Sequence, residues 1–334
     1  MQAEMDEMTH RQRVTEALAG RPTDRTPVSL WRHFGGIDVS ADGLTEAMVE
    51  FQETYDFDFV KFMPTGTYTI MDYGAETTWE PHARGTRTVH RLPVNRITDW
   101  ASLRPLDVDK GMFATVNDAL RQTVQSMGPD TPVLQTIFSP LTVANKLGGP
   151  ATMAALRQEP AVFEQAMEAL AALTERLVAA ALDRGADIFY ATQTCTAEVV
   201  SLEEVRRWET PYAERVLGPL RGRALVLLHA HGDFLWFDEA AGWPIDGINW
   251  HDRRGGPSLA DGGARIRPGM VGGLNGYGSL RNGPRRAVLD EVADAVAQGG
   301  GRLIVAPGCV IPGDCPPHLI RAARTAVEGV AAGL

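Results

Sequence analysis

The amino-acid sequence predicts an α/β fold, and within that class a TIM (β/α)8 barrel. Short apolar or β-branched segments alternate along the chain with longer stretches rich in Ala, Leu, Glu and Arg, the pattern of parallel strands and their crossover helices. There are eight such apolar segments, the number that closes a barrel. The predicted strands are residues 27–31, 58–63, 132–138, 187–192, 224–229, 247–250, 270–274 and 303–306.

The stretches between the predicted strands have the composition of helices. The clearest predicted helices are residues 44–55, 160–184, 202–220 and 285–298. Residues 75–126 form too long a connection for a simple crossover, and residues 86–92 alternate apolar and polar side chains as a half-buried strand does. We therefore predict a single domain over residues 1–334, with 75–126 as a decorating insertion after strand two, because no repeat or linker divides the chain.

Charge and cysteine content narrow the classes of function. The chain has 32 Lys and Arg against 42 Asp and Glu, a net charge of −10, which argues against nucleic acid or an anionic membrane as a partner. A local basic pocket for an acidic small molecule remains compatible with this balance. Three cysteines fit a reducing compartment, and residues 1–14 contain no apolar targeting segment. We expect a cytoplasmic protein that does not enter the membrane.

A pair of histidines at the end of the fifth predicted strand suggests a metal site. Residues 224–233 read Ala-Leu-Val-Leu-Leu-His-Ala-His-Gly-Asp, which places His229 and His231 two positions apart. Residues i and i+2 of an extended chain point to the same side, so both imidazoles can reach one ion. The alternative is that His229 is a buried strand histidine bonded to backbone and His231 is a loop residue.

A cysteine after the last predicted strand adds a third candidate ligand. Gly308 allows the backbone to turn, which would bring Cys309 into the barrel mouth. Two imidazoles and one thiolate with an open fourth position form a type of catalytic zinc site. The alternative is a packed, inert thiol. Cys195 is a further candidate for a fourth ligand, whereas Cys315, beside Pro316, is expected to be structural.

Other polar residues follow predicted strands at the same end of the barrel. Arg32 and Lys61 are candidates to bind a carboxylate, sulfonate or phosphate of the substrate, the alternative being ion pairs with acids on the rim. His251 with Asp252 could supply general acid–base chemistry near neutral pH, unless the two residues only cap a loop. The remaining candidates, which could line the pocket or simply form a turn, are Asn275 and Tyr277.

Several segments together resemble the uroporphyrinogen decarboxylase superfamily. Residues 11–32 resemble its opening helix, turn and first strand, and the likeness recurs at 185–187, 228–232 and 307–309, so that it covers essentially the whole chain. The superfamily includes the decarboxylases of haem synthesis and zinc-dependent methyltransferases that act with corrinoid proteins. The resemblance implies a TIM barrel, in agreement with the strand count. Because members are monomers or dimers, we favour a homodimer.

The motifs are closer to those of the methyltransferase branch. In true decarboxylases, the resemblance implies two arginines after strand one and an aspartate after strand two. Arg32 matches the first arginine, Gly36 stands at the second, and the end of strand two offers Lys61 without the aspartate. The methyltransferases hold zinc with a His-x-Cys pair and a later Cys. His229 and Cys309 match that set, whereas His231 replaces its first cysteine.

The leading hypothesis is therefore a zinc-dependent methyl or alkyl transferase that activates a thiol or similar acceptor through His229, His231 and Cys309. A corrinoid methyl donor would arrive on a separate corrinoid protein or with the substrate. Three alternatives stay open: a metal-free decarboxylase of the porphyrin-synthesis type, a metal-dependent hydrolase, and a non-catalytic barrel that binds a ligand.

Overall fold

Seven parallel strands and one short pairing segment form the barrel in the computed structural model, which describes residues 7–331. The sheet order is β1-β4-β5-β6-β7-β8-β9, and every residue of these strands is buried. The strands in chain order are β1 (Val60–Phe62), β2 (Glu76–Thr78), β3 (Thr88–Arg91), β4 (Val133–Phe138), β5 (Asp187–Thr192), β6 (Val226–Ala230), β7 (Gly247–Asn249), β8 (Gly269–Leu274) and β9 (Leu303–Pro307).

The predicted first strand closes the barrel between β9 and β1. Val28 pairs in parallel with Val305, and the Asp58 amide donates to the Val28 carbonyl over 2.9 Å. Only one residue of the predicted segment 27–31 is a formal bridge, because Pro27 has no N–H and the Val28 N–H donates to the Asp58 side chain instead. The prediction of a TIM (β/α)8 barrel is confirmed, with this strand shorter than expected.

Fourteen α-helices are described, and most of the long ones cover the outside of the barrel. They are α1 (His10–Leu18), α2 (Ala41–Tyr55), α3 (Tyr68–Met71), α4 (Gly111–Met127), α5 (Pro140–Gly148), α6 (Pro150–Gln158), α7 (Pro160–Asp183), α8 (Leu202–Trp208), α9 (Thr210–Leu217), α10 (Phe237–Ala241), α11 (Leu259–Gly263), α12 (Ser279–Asn282), α13 (Arg285–Gly299) and α14 (Pro317–Ala331). Residues 97–102 and 218–220 are 3₁₀ helices. Of the described helices, none has the length and apolar character needed to cross a membrane.

Two predicted helices differ from the observed ones for local reasons. Helix α2 begins three residues early because the Ser40 side chain accepts a hydrogen bond from the Gly43 amide and caps the first turn. The predicted helix 202–220 is divided at Glu209 into α8 and α9. Pro211, in the first turn of α9, cannot donate the amide hydrogen bond that a continuous helix needs.

Residues 75–126 contain two different structures. Helix α4 packs against α2 and β4, in the position of the crossover helix between β1 and β4. Strands β2 and β3 form a separate antiparallel hairpin, in which only Val89 and Thr77 are partly buried. The loop between them reaches the barrel mouth, where the Trp79 ring lies so close to Gly35 that a side chain at Gly35 would collide with it.

A buried aspartate holds together the closed end of the sheet. The Asp58 side chain is fully buried and accepts hydrogen bonds from Arg13 over 2.6 Å, from Arg25 over 2.6 and 2.9 Å, and from the Val28 amide over 2.7 Å. Burial alone would raise the pKa of Asp58, but the hydrogen bonds from His10 and Arg25 hold that pKa far below its ordinary value.

We predict that Asp58→Asn lowers the free energy of unfolding by about 3 kcal/mol at pH 7, because it leaves buried guanidinium groups without their counter-ion. Since the folded-state pKa of Asp58 is depressed, its stabilisation is present above the pKa of an unfolded aspartate, about 4, and is lost as the pH falls below that value. Urea unfolding between pH 3 and pH 7 measures both effects.

The matched control is Asp118→Asn, which breaks the exposed pair with Arg121 and should change stability by about 0.5 kcal/mol or less. Equal losses in the two variants would contradict the role assigned to Asp58.

Candidate active site

Three side chains that could ligate a metal converge at the carboxyl ends of β6 and β9. His229 lies within β6, His231 follows it, and Cys309 follows β9. Their ligand atoms all lie within 4.8 Å of one another, and His231 Nδ1 is 3.6 Å from Cys309 Sγ. His231 keeps the extended register of the strand because its amide donates to the Thr192 carbonyl of β5, so both imidazoles face the same side.

Asn249, at the end of β7, orients the His229 ring. Its Nδ2 donates to the carbonyls of Val271 and Pro307 over 2.7 and 3.0 Å, so its Oδ1 must face His229 Nδ1, 2.6 Å away. His229 Nδ1 therefore carries the proton, and its Nε2 lone pair is free to bind a metal. Burial, together with nearby His231 and Lys61, holds the pKa of His229 well below its ordinary value, which keeps the ring neutral.

His251 and Asp252 follow β7 but point to different places. His251 Nε2 lies 3.5 Å from His231 Nδ1, at the edge of the cluster. Asp252 turns away, accepts a hydrogen bond from the Gly273 amide over 3.1 Å and lies 3.5 Å from Arg253. Burial raises the pKa of Asp252 to about 6, whereas burial and His231 lower that of His251 to about 4. The predicted acid–base pair is thus not brought together, and His251 faces the cluster alone.

Two lysines supply positive charge to the mouth. Lys61 is buried, with Nζ 4.6 Å from the centre of the Phe189 ring and 3.1 Å from Met63 Sδ. Lys146, on α5, lies over Phe138 at 4.4 Å. Burial lowers the pKa of each to about 8. Neither ammonium forms an ion pair with a carboxylate among residues 7–331. Sequence analysis missed Lys146, which lies in the last turn of α5.

The other predicted binding residues have separate surroundings. Arg32 donates to the Gly313 carbonyl and packs its guanidinium over Phe34 and Phe51, the latter on α2. Asn275 accepts a hydrogen bond from the Gly278 amide, as a turn residue does. Tyr277 is 43% exposed and lines a pocket with His251, Arg254 and Cys309.

The two remaining cysteines are not part of the cluster. Cys195 is fully buried, and its Sγ lies 3.9 Å from the Trp236 carbonyl. Burial and the nearby Glu209 raise its pKa well above the ordinary value, as expected for an inert thiol. Cys315 is also buried, with Sγ 3.8 Å from the Gly276 carbonyl. This contact supports a structural role for Cys315.

A buried carboxyl supports the loop after β5. Glu209 is 1% exposed, and its Oε2 accepts a hydrogen bond from Thr194 Oγ1 over 2.8 Å. Thr194 continues the network to Thr142, whose Oγ1 accepts from the Gln193 amide. Burial raises the pKa of Glu209, although the hydroxyls of neighbouring Ser and Thr residues act in the opposite direction. Neither helical nor strand periodicity in the sequence distinguishes Glu209, because its role arises from the break between α8 and α9.

The donor set can bind one soft or borderline divalent metal. It offers two neutral imidazoles and one thiol, and the ring of Phe189 lies beneath His229, with ring centres 6.2 Å apart. Such a nitrogen and sulfur set suits zinc and leaves a coordination position for a substrate atom. The two cationic lysines can bind an anionic substrate group near that position.

A family sequence model and several known proteins match this chain. A sequence model of the family described as Uroporphyrinogen decarboxylase (URO-D) matches residues 9–330. The chain is 26% identical over 234 residues to the uroporphyrinogen decarboxylase of Mycobacterium leprae, a match that covers 64% of this chain and 62% of that protein. It therefore matches less than two thirds of the length of that relative.

A second relative is matched over nearly its whole length. This is the methylcobamide:CoM methyltransferase MtaA of Methanosarcina barkeri, 22% identical over 343 residues, with 95% of this chain and 97% of that protein covered. A solved methyltransferase from Methanosarcina mazei superposes with a TM-score of 0.85 at 21% identity, over 97% of this chain and 99% of that one. At this identity the structural likeness shows the shared fold.

The Glu209 network leads to a prediction about stability. We expect Glu209→Gln to change the free energy of unfolding by about 1 kcal/mol or less, because the amide can still accept from Thr194 and resembles a protonated carboxyl. Glu209→Ala removes the acceptor and leaves a cavity, and should cost about 3 kcal/mol. Urea titration of both variants beside Glu203→Ala, an exposed position on α8, measures this. Similar stability of the two alanine variants would refute it.

Proposed function

This chain belongs to the uroporphyrinogen decarboxylase family, and from that premise we propose that it is a zinc-dependent methyl or alkyl transferase acting on a thiol. The observation that carries the proposal is the convergence of His229, His231 and Cys309, with Asn249 fixing the tautomer of His229. A decarboxylase that works by binding carboxylates has no need for an oriented imidazole lone pair beside a thiol.

The residues fit the metal in composition and in protonation. His229 presents Nε2 as a neutral donor, and the Lys61 charge opposes the effect of burial on the pKa of Cys309, which burial raises. Zinc bound by such a set lowers the pKa of a bound thiol and presents it as a nucleophilic thiolate. One thiolate in the set, where the family resemblance implies two, leaves the ion more Lewis acidic.

We propose that Lys61 and Lys146 bind an anionic group on the acceptor. Lys61 is buried and Lys146 is partly buried, and each ammonium lies over an aromatic ring, so an incoming carboxylate or sulfonate would complete a charge-assisted hydrogen bond. The rings of Trp31, Phe59 and Phe189 pack together below the site and limit the access of water from the barrel interior. In this proposal, Lys61 and Lys146 hold the acceptor with its reacting sulfur toward the cluster of His229, His231 and Cys309.

The methyl donor in this proposal is a corrinoid on a separate protein or on the substrate. The support is the full-length match to a protein named as a methylcobamide:CoM methyltransferase.

Three free cysteines support the proposed cytoplasmic location. A second candidate function is decarboxylation of a polycarboxylate, which is favoured by the named decarboxylase relative and by the two lysines that lie over aromatic rings.

The metal site is tested by measuring the zinc content of the protein. We expect about one zinc per chain in the wild-type protein, and loss of that zinc in both His229→Ala and Cys309→Ser, because each removes one of three ligands. Cys315→Ser is the matched control and should retain the metal, since its sulfur lies against a backbone carbonyl. Elemental analysis after dialysis measures the content. A folded wild-type protein that cannot be loaded with zinc would overturn the transferase proposal in favour of metal-free decarboxylation.

The lysine pair is tested with two thiols of similar size. We expect Lys146→Met to raise the KM for 3-mercaptopropionate about 10-fold or more, because one charge-assisted contact is lost, and to leave the KM for neutral 2-mercaptoethanol unchanged. Steady-state methylation of each thiol by methylcobalamin measures the difference. Lys110→Met, which removes an exposed lysine paired with Asp107, is the control. Equal effects on both thiols would show that Lys146 does not recognise the anion.

A further inference from the structure

A third imidazole, that of His251, lies beside the proposed metal site. His251 follows β7, and its ring centre is 5.2 Å from that of His231 and 6.4 Å from that of His229. Its Nε2 is 3.5 Å from His231 Nδ1. The same His231 nitrogen lies 3.6 Å from Cys309 Sγ, so two potential ligand atoms lie beside one nitrogen.

Two of these separations match the distances between neighbouring ligands of one ion. With zinc–nitrogen and zinc–sulfur bonds of about 2.05 and 2.3 Å, a tetrahedral site has nitrogen–nitrogen edges of about 3.3 Å and nitrogen–sulfur edges of about 3.6 Å. The observed separations are 3.5 and 3.6 Å. A direct hydrogen bond between two ring nitrogens would be shorter, near 2.9 Å. The two separations therefore match two edges of a shared site that meet at His231 Nδ1, although the set whose ligand atoms all lie within 4.8 Å of one another is His229, His231 and Cys309, without His251.

The turn that carries Cys309 is built to accept the His251 ring. A Cβ atom at Gly308 would lie 2.9 Å from the His251 Cα and 3.3 Å from its Nδ1, so only glycine permits this approach. The backbone after His251 is fixed as well, because the Arg254 and Gly256 amides both donate to the His251 carbonyl. The ring is thus held beside the cysteine turn, with Nε2 directed toward His231.

We infer that His251 is the fourth ligand of the metal site when no substrate is bound, giving a set of three histidines and one cysteine. This inference rests on the metal site proposed above. His251 touches the cluster at His231, so metal binding would draw its ring inward. Because a site with four protein ligands is closed, the acceptor thiol must take the position of His251, release its proton to water and restore a three-ligand protein set.

The test uses cobalt as a spectroscopic substitute for zinc. We expect the Co²⁺-loaded wild-type protein to show the intense visible bands of a four-coordinate nitrogen and sulfur site, and His251→Gln to show weaker, shifted bands because water replaces the ring. Competition with a chelator should show a zinc Kd about 100-fold higher in His251→Gln. His318→Ala, which removes an exposed histidine on α14, is the control and should match the wild type in both measurements.

Glutamine fills most of the volume of histidine, and thermal unfolding of the metal-free variant should match that of the metal-free wild type. A wild-type spectrum and an unchanged Kd in both His251→Gln and His251→Ala would overturn the inference while leaving the three-ligand site intact. Failure of the wild-type protein to bind either metal would overturn the site itself and the inference with it.

Discussion

The architecture depends on one buried carboxylate at the seam of the barrel. Asp58 lies just before β1, and its oxygens bind Arg13 of α1, Arg25 and the Val28 amide. A proline next to Val28 removes one backbone donor, so the first strand has too few ladder hydrogen bonds to close the sheet unaided. The side chain of Asp58 supplies the additional hydrogen bonds at this seam. Closure between β9 and β1 then brings the loop that carries Cys309 over the same mouth as His229.

Hydrogen bonds to neighbouring strands then give the site its chemistry. Asn249 uses both amide protons on carbonyls of β8 and β9, and its remaining oxygen fixes the proton of His229. A single residue thereby links three strands and selects the ring nitrogen that faces the mouth. Glu209 does the equivalent for the loop after β5, through the hydroxyls of Thr194 and Thr142. Such networks hold their orientation because each lost hydrogen bond would leave a buried polar group unsatisfied.

The charge distribution explains how an acidic protein could take an acidic substrate. The net charge is −10, yet the described part of the mouth has two lysines without carboxylate partners, Lys61 and Lys146. Because Lys61 is buried and Lys146 is partly buried, an anion gains more from pairing with them than with an exposed lysine. The same burial lowers the pKa of each to about 8, which leaves both lysines mainly protonated at pH 7.

The sequence by itself determined the eight-stranded alternation and the pairing of His229 with His231, because strand patterns and an i, i+2 spacing are local properties. Cys309 joins that pair only through closure of the barrel. The sequence also located Lys61 at the end of a strand. Only the tertiary structure decided the partners of those residues. Asp252 turns toward Gly273 while His251 faces His231, and Arg32 packs on α2. Asn249 and Glu209 act through residues farther away in the sequence, and such contacts are fixed by the packing of the barrel rather than by any local pattern.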